Sequence, residues 1–460
     1  MLHTAQLDNE SGSHTISGKL HHLSFIAKYI LIFLIITAIQ VGLLVLSACI
    51  PGRFIRTNMM QSADYLTEQA VFFNIDESDS ASRIDRYADS ILLGIAYGYD
   101  ENKPLSSVMR ASYYHTNTQN ENDNLKDAVY NNLAPNYDYV RYWHGSNAVV
   151  RPLLVFFNIK QIYIINAVIL SILFVLMLVM LKKTFGTGIA VSFSISAVMM
   201  SIWYVPFSLE YTWTFFIMFI SALLIMLNYK KNHSVTKLLP IFFITGSMTA
   251  YFDFLTTETL TLLIPLILLL IMEYDAETLS SFKSGIKTSL HSGVLWGLGY
   301  ISSWLAKWTL ASVILGENAF SSALTNAANR INGEAYEATG FSLRLGAVIS
   351  NLSCIFPFSH IQKYAFILCI FCFIFACFIY YLIRKNKNTC PLPGLFAVLA
   401  FMPYIRFLVL ANHSYQHYFF TFRAQMTTML CIALIFYYGT DRSLLKKEWR
   451  KIWKKMRKKK

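Results

Sequence analysis

Long apolar stretches alternate with short polar ones along most of the chain. The apolar runs lie at about 26–49, 161–181, 187–206, 212–229, 238–255, 259–273, 292–315, 364–383, 393–411 and 419–438. Most of these reach the roughly 17–25 residues an α-helix needs to cross a bilayer. The run at 259–273 is the shortest, and 340–358 reads as an eleventh element that only dips in. The first run is too long for the core of a signal peptide. Pro51-Gly52 follows it in place of a cleavage site, so it reads as an uncleaved span. The pattern predicts an all-α polytopic membrane protein of about ten transmembrane helices. Residues 1–25 form an N-terminal segment, 26–438 the bundle and 439–460 a tail.

The largest polar interruption, 51–160, separates the first two runs and carries 13 of the 26 acidic residues. Within it, Asp85 to Tyr99 places Ile84, Ala88, Ile91, Leu92 and Ile95 at helical spacing. That is the stripe of an amphipathic helix, suited to lying along a membrane surface. No repeat of domain length is visible.

Composition agrees with this class. Hydrophobic residues make up 55% and charged residues 14%, and the mean hydropathy is +0.44. A soluble domain carries roughly a quarter charged residues. A soluble enzyme, a disordered chain and a disulfide-stapled secreted domain are excluded.

The net charge of +13 is concentrated in the tail, where residues 442–460 hold eleven Lys and Arg against Glu448. Such a tail is attracted to anionic lipid heads on the cytoplasmic face. It gives no support to nucleic acid as a partner. Lys182 and Lys183, then Lys230, Lys231 and Lys237, then Lys283 and Lys287, then Arg384, Lys385 and Lys387 mark every second short loop. The connections at 207–211 and 256–258 carry no Lys or Arg. The positive-inside rule then puts both termini in the cytoplasm. Segments 51–160, 207–211, 256–258, 316–363 and 412–418 fall outside. The default location is a bacterial plasma membrane.

Most of the seven cysteines sit in or beside apolar runs, and none lies between 51 and 158. Cys369 and Cys372 have CxxC spacing inside the run at 364–383, without a second pair or a histidine nearby. They read as small apolar residues, and no zinc site or disulfide is implied.

Ionisable groups at membrane depth are costly and usually mark a site or a polar cavity. Lys307 lies well inside its run, Asp253 at the end of another, and Arg406 and Arg423 within the last two. Their convergence suggests an outward-facing polar cavity. The competing reading is internal pairing, such as Asp253 with Lys307 or Arg406, that merely joins helices. Two further clusters fall on the same side: Arg141 to Asn147, including His144 and followed by Arg151, and His413 to Arg423, including His417. His413 and His417 have the i, i+4 spacing of a metal-binding pair, but no third ligand accompanies them. Asp85 and Asp89 share a helix face, and a carboxylate there can act as a general base toward a hydroxyl.

This layout resembles the membrane glycosyltransferases of the GT-C fold, which use polyprenyl-phosphate sugars as donors. The likeness is architectural and covers most of the chain: one span, a long first outer loop carrying Asp85 and Asp89, then many spans with outer Arg and His. It implies that Asp89, or else Asp85, is the essential acidic residue, as base or metal ligand. It implies that Arg141, His144, Arg151, Asp253, Lys307, Arg406, His413, His417 and Arg423 bind donor phosphate or sugar. The expected partners are membrane lipid, a polyprenyl-phosphate sugar donor, and an envelope glycan or lipid acceptor. The family includes members with and without a divalent metal, so metal dependence stays open. No GxxxxGK[ST] or GxGxxG motif is present, which disfavours a nucleotide-linked donor. The alternatives are a transporter or flippase for a lipid-linked sugar or polysaccharide, and an assembly protein of surface polysaccharide.

Overall fold

In a computed structural model, residues 4–333, 339–355, 373, 390–440 and 450 are described. The expected span at 364–383, its Arg384, Lys385 and Lys387 loop, Cys369 and Cys372, and nearly all of the basic tail lie outside these residues.

The chain is mostly helical. Helix α1 (Thr4–Ala48) leads into a polar segment of five helices: α2 (Gly52–Thr67), α3 (Arg86–Gly98), α4 (Pro104–Arg110), α5 (Glu121–Asn131) and α6 (Asn147–Leu153). A two-stranded antiparallel ribbon, β1 (Phe72–Asn74) and β2 (Arg83–Asp85), precedes α3 with Phe73 opposite Ile84. The bundle follows: α7 (Ile159–Phe185), α8 (Thr187–Met199), α9 (Leu209–Asn232), α10 (Val235–Phe252), α11 (Leu260–Asp275) and α12 (Phe282–Leu315). Then come α13 (Ala319–Asn332), α14 (Gly340–Ser353), α15 (Leu392–Ala400), α16 (Met402–Val409), α17 (Ala411–Gln416), α18 (Tyr418–Thr421) and α19 (Met426–Gly439).

Six stretches are long and apolar enough to cross a membrane: Ile26–Ala48, Ile159–Phe185, Leu209–Lys231, Val235–Phe252, Leu392–Val409 and Tyr418–Gly439. Thr187–Met199 is apolar but shorter. Their outward faces fit lipid contact. The first exposes Ile30, Leu31, Leu34 and Ile35, and α7 exposes Val168, Ile172 and Val175. A bilayer accepts such faces where water would not.

The short run at 259–273 has a physical explanation. It is α11, and thirteen of its sixteen residues are buried. A helix apolar all round belongs inside a protein, and α11 lies against α9, α12, α15 and α19. α10 and α12 run side by side because glycines allow it. A Cβ on Gly246 would strike the backbone of Trp296, and one on Gly299 would strike Phe243.

α3 occupies Arg86–Gly98, inside the expected Asp85–Tyr99. It does not lie along a membrane surface. Nine of its thirteen residues are buried, between α2 and α5 on one side and α6 and α9 on the other. The segment 52–153 is thereby folded onto one end of the bundle. Trp143 Nε1 donates to Ser303 O of α12 at 2.9 Å, and Trp308 Nε1 donates to Arg141 O at 2.9 Å. The loops without Lys and Arg gather at this end. Loops bearing Lys182, Lys230 and Lys283 lie at the other, where Tyr274 meets Tyr438 and Phe282 lies against Gly394.

Candidate functional site

The site is built where two helix N-termini converge. Asp85 is the N-cap of α3, and its carboxylate accepts from Ala88 N at 2.8 Å. Glu210 stands in the first turn of α9. Its carboxyl is hydrogen-bonded to that of Asp85, and both residues are buried. The positive ends of the two helices favour negative charge here. Two carboxyls in contact hold one proton between them, because like charges this close cannot both ionise. Burial pushes the Asp85 carboxyl up to about 6, against the hydrogen bonds from Ala88 and Glu210 and the charge of Arg83.

The pair forms one wall of a cleft with about 540 Å³ of empty space, counting its mouth. His144, Tyr142, Phe254, Arg330, His413 and His417 also line it. Arg330 Nη1 lies 3.2 Å from His417 Nε2 and donates to it. The His413 and His417 rings stand 4.8 Å apart. Burial and then the charge of Arg330 push His417 down to about 3, and the same two causes push His413 down. Burial and then the charge of Lys307 hold His144 at about 3. All three rings are therefore neutral at physiological pH and offer hydrogen bonds without charge.

Two of the seven described non-glycine residues with positive φ lie at the cleft or the groove beside it. His144 has φ +54° and Leu255 φ +67°, a region that residues with side chains seldom adopt. Leu255 is held there by Arg406, whose Nη2 donates to its carbonyl. Such strain clusters at binding sites.

The structure divides the residues singled out from the sequence. Asp85, His144, His413 and His417 line the cleft. Arg141 borders an adjoining groove, with its guanidinium 4.0 Å from the Tyr139 ring centre. Arg406 stands behind the histidines, paired with Glu258 at 2.9 Å and 3.5 Å from His413 Nδ1. The remaining five turn away. Asp89 accepts from Leu209 N at 2.9 Å, from Ser208 Oγ at 3.3 Å and from the Tyr163 hydroxyl. Arg151 donates to Ala96 O at 2.5 Å and Ile50 O at 2.6 Å. Lys307 donates to Met109 O at 2.8 Å and Val108 O at 3.2 Å. Arg423 donates to Phe419 O and Ala81 O at 3.2 and 3.1 Å. Asp253 accepts from Thr214 Oγ1 at 2.7 Å and from Thr256.

The internal pairing of Asp253 with Lys307 or Arg406 is corrected by these contacts. Each of the three has another partner. Arg151 and Lys307 satisfy last-turn carbonyls of α3 and α4, which a helix leaves without internal partners. Glu258 and Arg330 are the site residues that the sequence did not single out, whereas Glu210 stood out as an acid just beyond an apolar run. Arg330 lies on α13, in a polar stretch where an arginine draws no attention.

Among the described residues, no three His, Cys, Asp or Glu side chains come together in a set that could hold a metal ion. No protein-family model, curated protein or solved structure matches the chain.

Proposed function

We propose that the cleft transfers a sugar from a polyprenyl-phosphate donor to an acceptor hydroxyl on the extracytoplasmic face, as in GT-C glycosyltransferases. The observation that carries this reading is the presence of both charges in one cleft. The Asp85 and Glu210 carboxyls line the same cleft as Arg330 and two neutral histidines. The acceptor oxygen attacks the anomeric carbon while the bond from that carbon to the phosphate oxygen breaks. Asp85 takes the hydroxyl proton as general base. The phosphate leaves with the bonding electrons, and Arg330 matches its charge. Guanidinium suits that task because its planar fork fits phosphate oxygens. The outer segment folded over the bundle end excludes water, which competes with the acceptor.

In this reading the chain has about ten spans and both termini in the cytoplasm of a bacterial plasma membrane. The Lys-bearing loops at the bundle end opposite the cleft support that orientation. The donor comes from the lipid, and the acceptor is an envelope glycan or lipid.

The test is release of free polyprenyl phosphate by purified protein, without any gradient, from a panel of polyprenyl-phosphate sugars. Two results are expected. The rate rises with pH through about 6, because the base must be ionised and burial holds Asp85 at about that value. An Arg330→Gln variant raises KM for the donor by about 10- to 100-fold, the size of a lost charge-assisted hydrogen bond. A flat pH profile below neutrality, or an unchanged KM, counts against these roles.

A further inference from the structure

We infer that His144 is a specificity-determining residue of the cleft, whose Nδ1 accepts a hydrogen bond from a hydroxyl of the bound molecule and admits no phosphate oxygen. The inference rests on the glycosyltransferase reading for the identity of that molecule as a sugar, and not for the polarity of the bond.

The polarity follows from what each ring already contacts. His144 Nε2 lies 3.1 Å from the Tyr139 carbonyl oxygen. A carbonyl only accepts, so Nε2 carries the hydrogen and donates it. Nδ1 of the neutral ring then holds a lone pair and no hydrogen. That nitrogen is buried and has no hydrogen-bond partner among the described residues. A buried acceptor left open calls for a donor. His417 has the opposite arrangement. Arg330 donates to its Nε2 at 3.2 Å, and a guanidinium cannot accept. The hydrogen of His417 is therefore on Nδ1, which is also buried and without a partner among the described residues. The cleft thus offers an open acceptor at His144 and an open donor at His417. A hydroxyl suits either, because it both donates and accepts. The ionised oxygens of a phosphate only accept, so they suit His417 and not His144. Burial and then the charge of Lys307 keep the His144 ring from becoming a cation that would reverse this preference.

The chain also holds the His144 ring in place. Its φ is +54°, and the next residue, Gly145, donates from its N to Tyr251 O at 3.0 Å. A Cβ on Gly145 would strike the Tyr251 ring and carbonyl, so this close approach needs glycine. Tyr139 and Phe254 flank the imidazole, with ring centres 4.9 and 5.3 Å away. An acceptor fixed in this way discriminates, since a ligand without the matching donor leaves it unpaired.

The test uses full-length protein in nanodiscs at pH 8 with ¹⁵N-labelled histidine, the His144 signals being assigned by their loss in His144→Asn. Nδ1 is expected without a hydrogen and Nε2 with one. A panel of polyprenyl-phosphate sugars is then compared with polyprenyl phosphate that carries no sugar. At least one sugar donor should shift the His144 Nδ1 resonance, and the sugar-free lipid should not. A hydrogen on Nδ1, an equal shift by the sugar-free lipid, or no shift with any sugar overturns the inference. Kinetics then name the hydroxyl. Deoxy and deoxyfluoro analogues of the best donor should both lose about 10- to 100-fold in kcat/KM at one ring position, because neither can donate there. His144→Phe should abolish that discrimination. His144→Asn should retain it, since its side-chain oxygen can stand in for Nδ1 and asparagine tolerates positive φ. Equal discrimination in wild type and His144→Phe also overturns the inference. A sugar-specific shift without turnover of any donor would sink the glycosyltransferase reading and leave His144 in its role. Turnover without the shift would do the reverse.

Discussion

An Asp85→Asn variant is expected to lose sugar transfer by about 10²–10⁴-fold while keeping its fold, the range that general-base catalysis contributes. Asparagine retains the side-chain oxygen that accepts from Ala88 N, so the N-cap of α3 survives. It can also hydrogen-bond Glu210. What it cannot do is take a proton from an acceptor hydroxyl. The loss should fall on kcat, with donor KM little changed, because the proposed phosphate ligand is Arg330 and not Asp85. The rate should also stop rising through pH 6, since the group that titrates there is gone. Steady-state kinetics of both proteins across that pH range, with thermal melting to confirm folding, check the outcome. Full activity in Asp85→Asn would remove Asp85 from the chemistry.

The second large effect concerns stability. Asp89→Leu is expected to destabilise the protein by about 3–5 kcal/mol. Its carboxylate accepts from Leu209 N, Ser208 Oγ and the Tyr163 hydroxyl in a fully buried position. Leucine would leave those three donors without partners, and each unsatisfied buried group costs about 1–3 kcal/mol. It would also release the N-terminus of α9 from α3, and with it the contact between Glu210 and Asp85. Asp89→Asn should be far milder, because an amide still accepts from Leu209. It isolates a further effect. Burial raises the Asp89 carboxyl to about 7, despite the hydrogen bonds from Tyr163 and Leu209. A carboxyl raised in the fold binds its proton more tightly there than in the unfolded chain. Its contribution is therefore complete below the usual Asp value of about 4 and is lost as pH rises through about 7. Thermal melts in detergent from pH 4 to 8 should show this decline in the wild type and a shallower one in Asp89→Asn. Identical slopes would mean that Asp89 is not raised.

The membrane class of this chain was legible because apolar runs must match a bilayer's thickness, and the helix at Arg86–Gly98 because its stripe has a 3.6-residue period. The site was only partly legible. Asp85 and Asp89 look equivalent at i, i+4 spacing, yet they serve different ends. Asp85 has φ −104° and ψ 95°, outside the helix as its N-cap, so its side chain follows capping geometry. Asp89 is within the first turn and points at the start of α9. Lys307, Arg151 and Arg423 looked like ligands because charge in apolar surroundings is costly. The same cost is met when a cation binds backbone carbonyls left open at chain turns. Sequence spacing does not distinguish the two uses. Arg330 was hidden for the opposite reason. It sits in a polar stretch where an arginine costs nothing, and only the fold of α13 against α17 and α12 brings it to His417.

The measurement that reaches the central claim most directly is donor turnover by purified protein in nanodiscs, with no gradient and no other enzyme present. Polyprenyl-phosphate hexoses and pentoses are supplied with an envelope acceptor fraction, and free polyprenyl phosphate is followed for wild type, Asp85→Asn and Arg330→Gln. Release by the wild type that collapses in Asp85→Asn and needs more donor in Arg330→Gln is the expected result. Binding of the lipid-linked sugar without release, together with its movement across sealed vesicles, would contradict a transferase and make the protein a transporter.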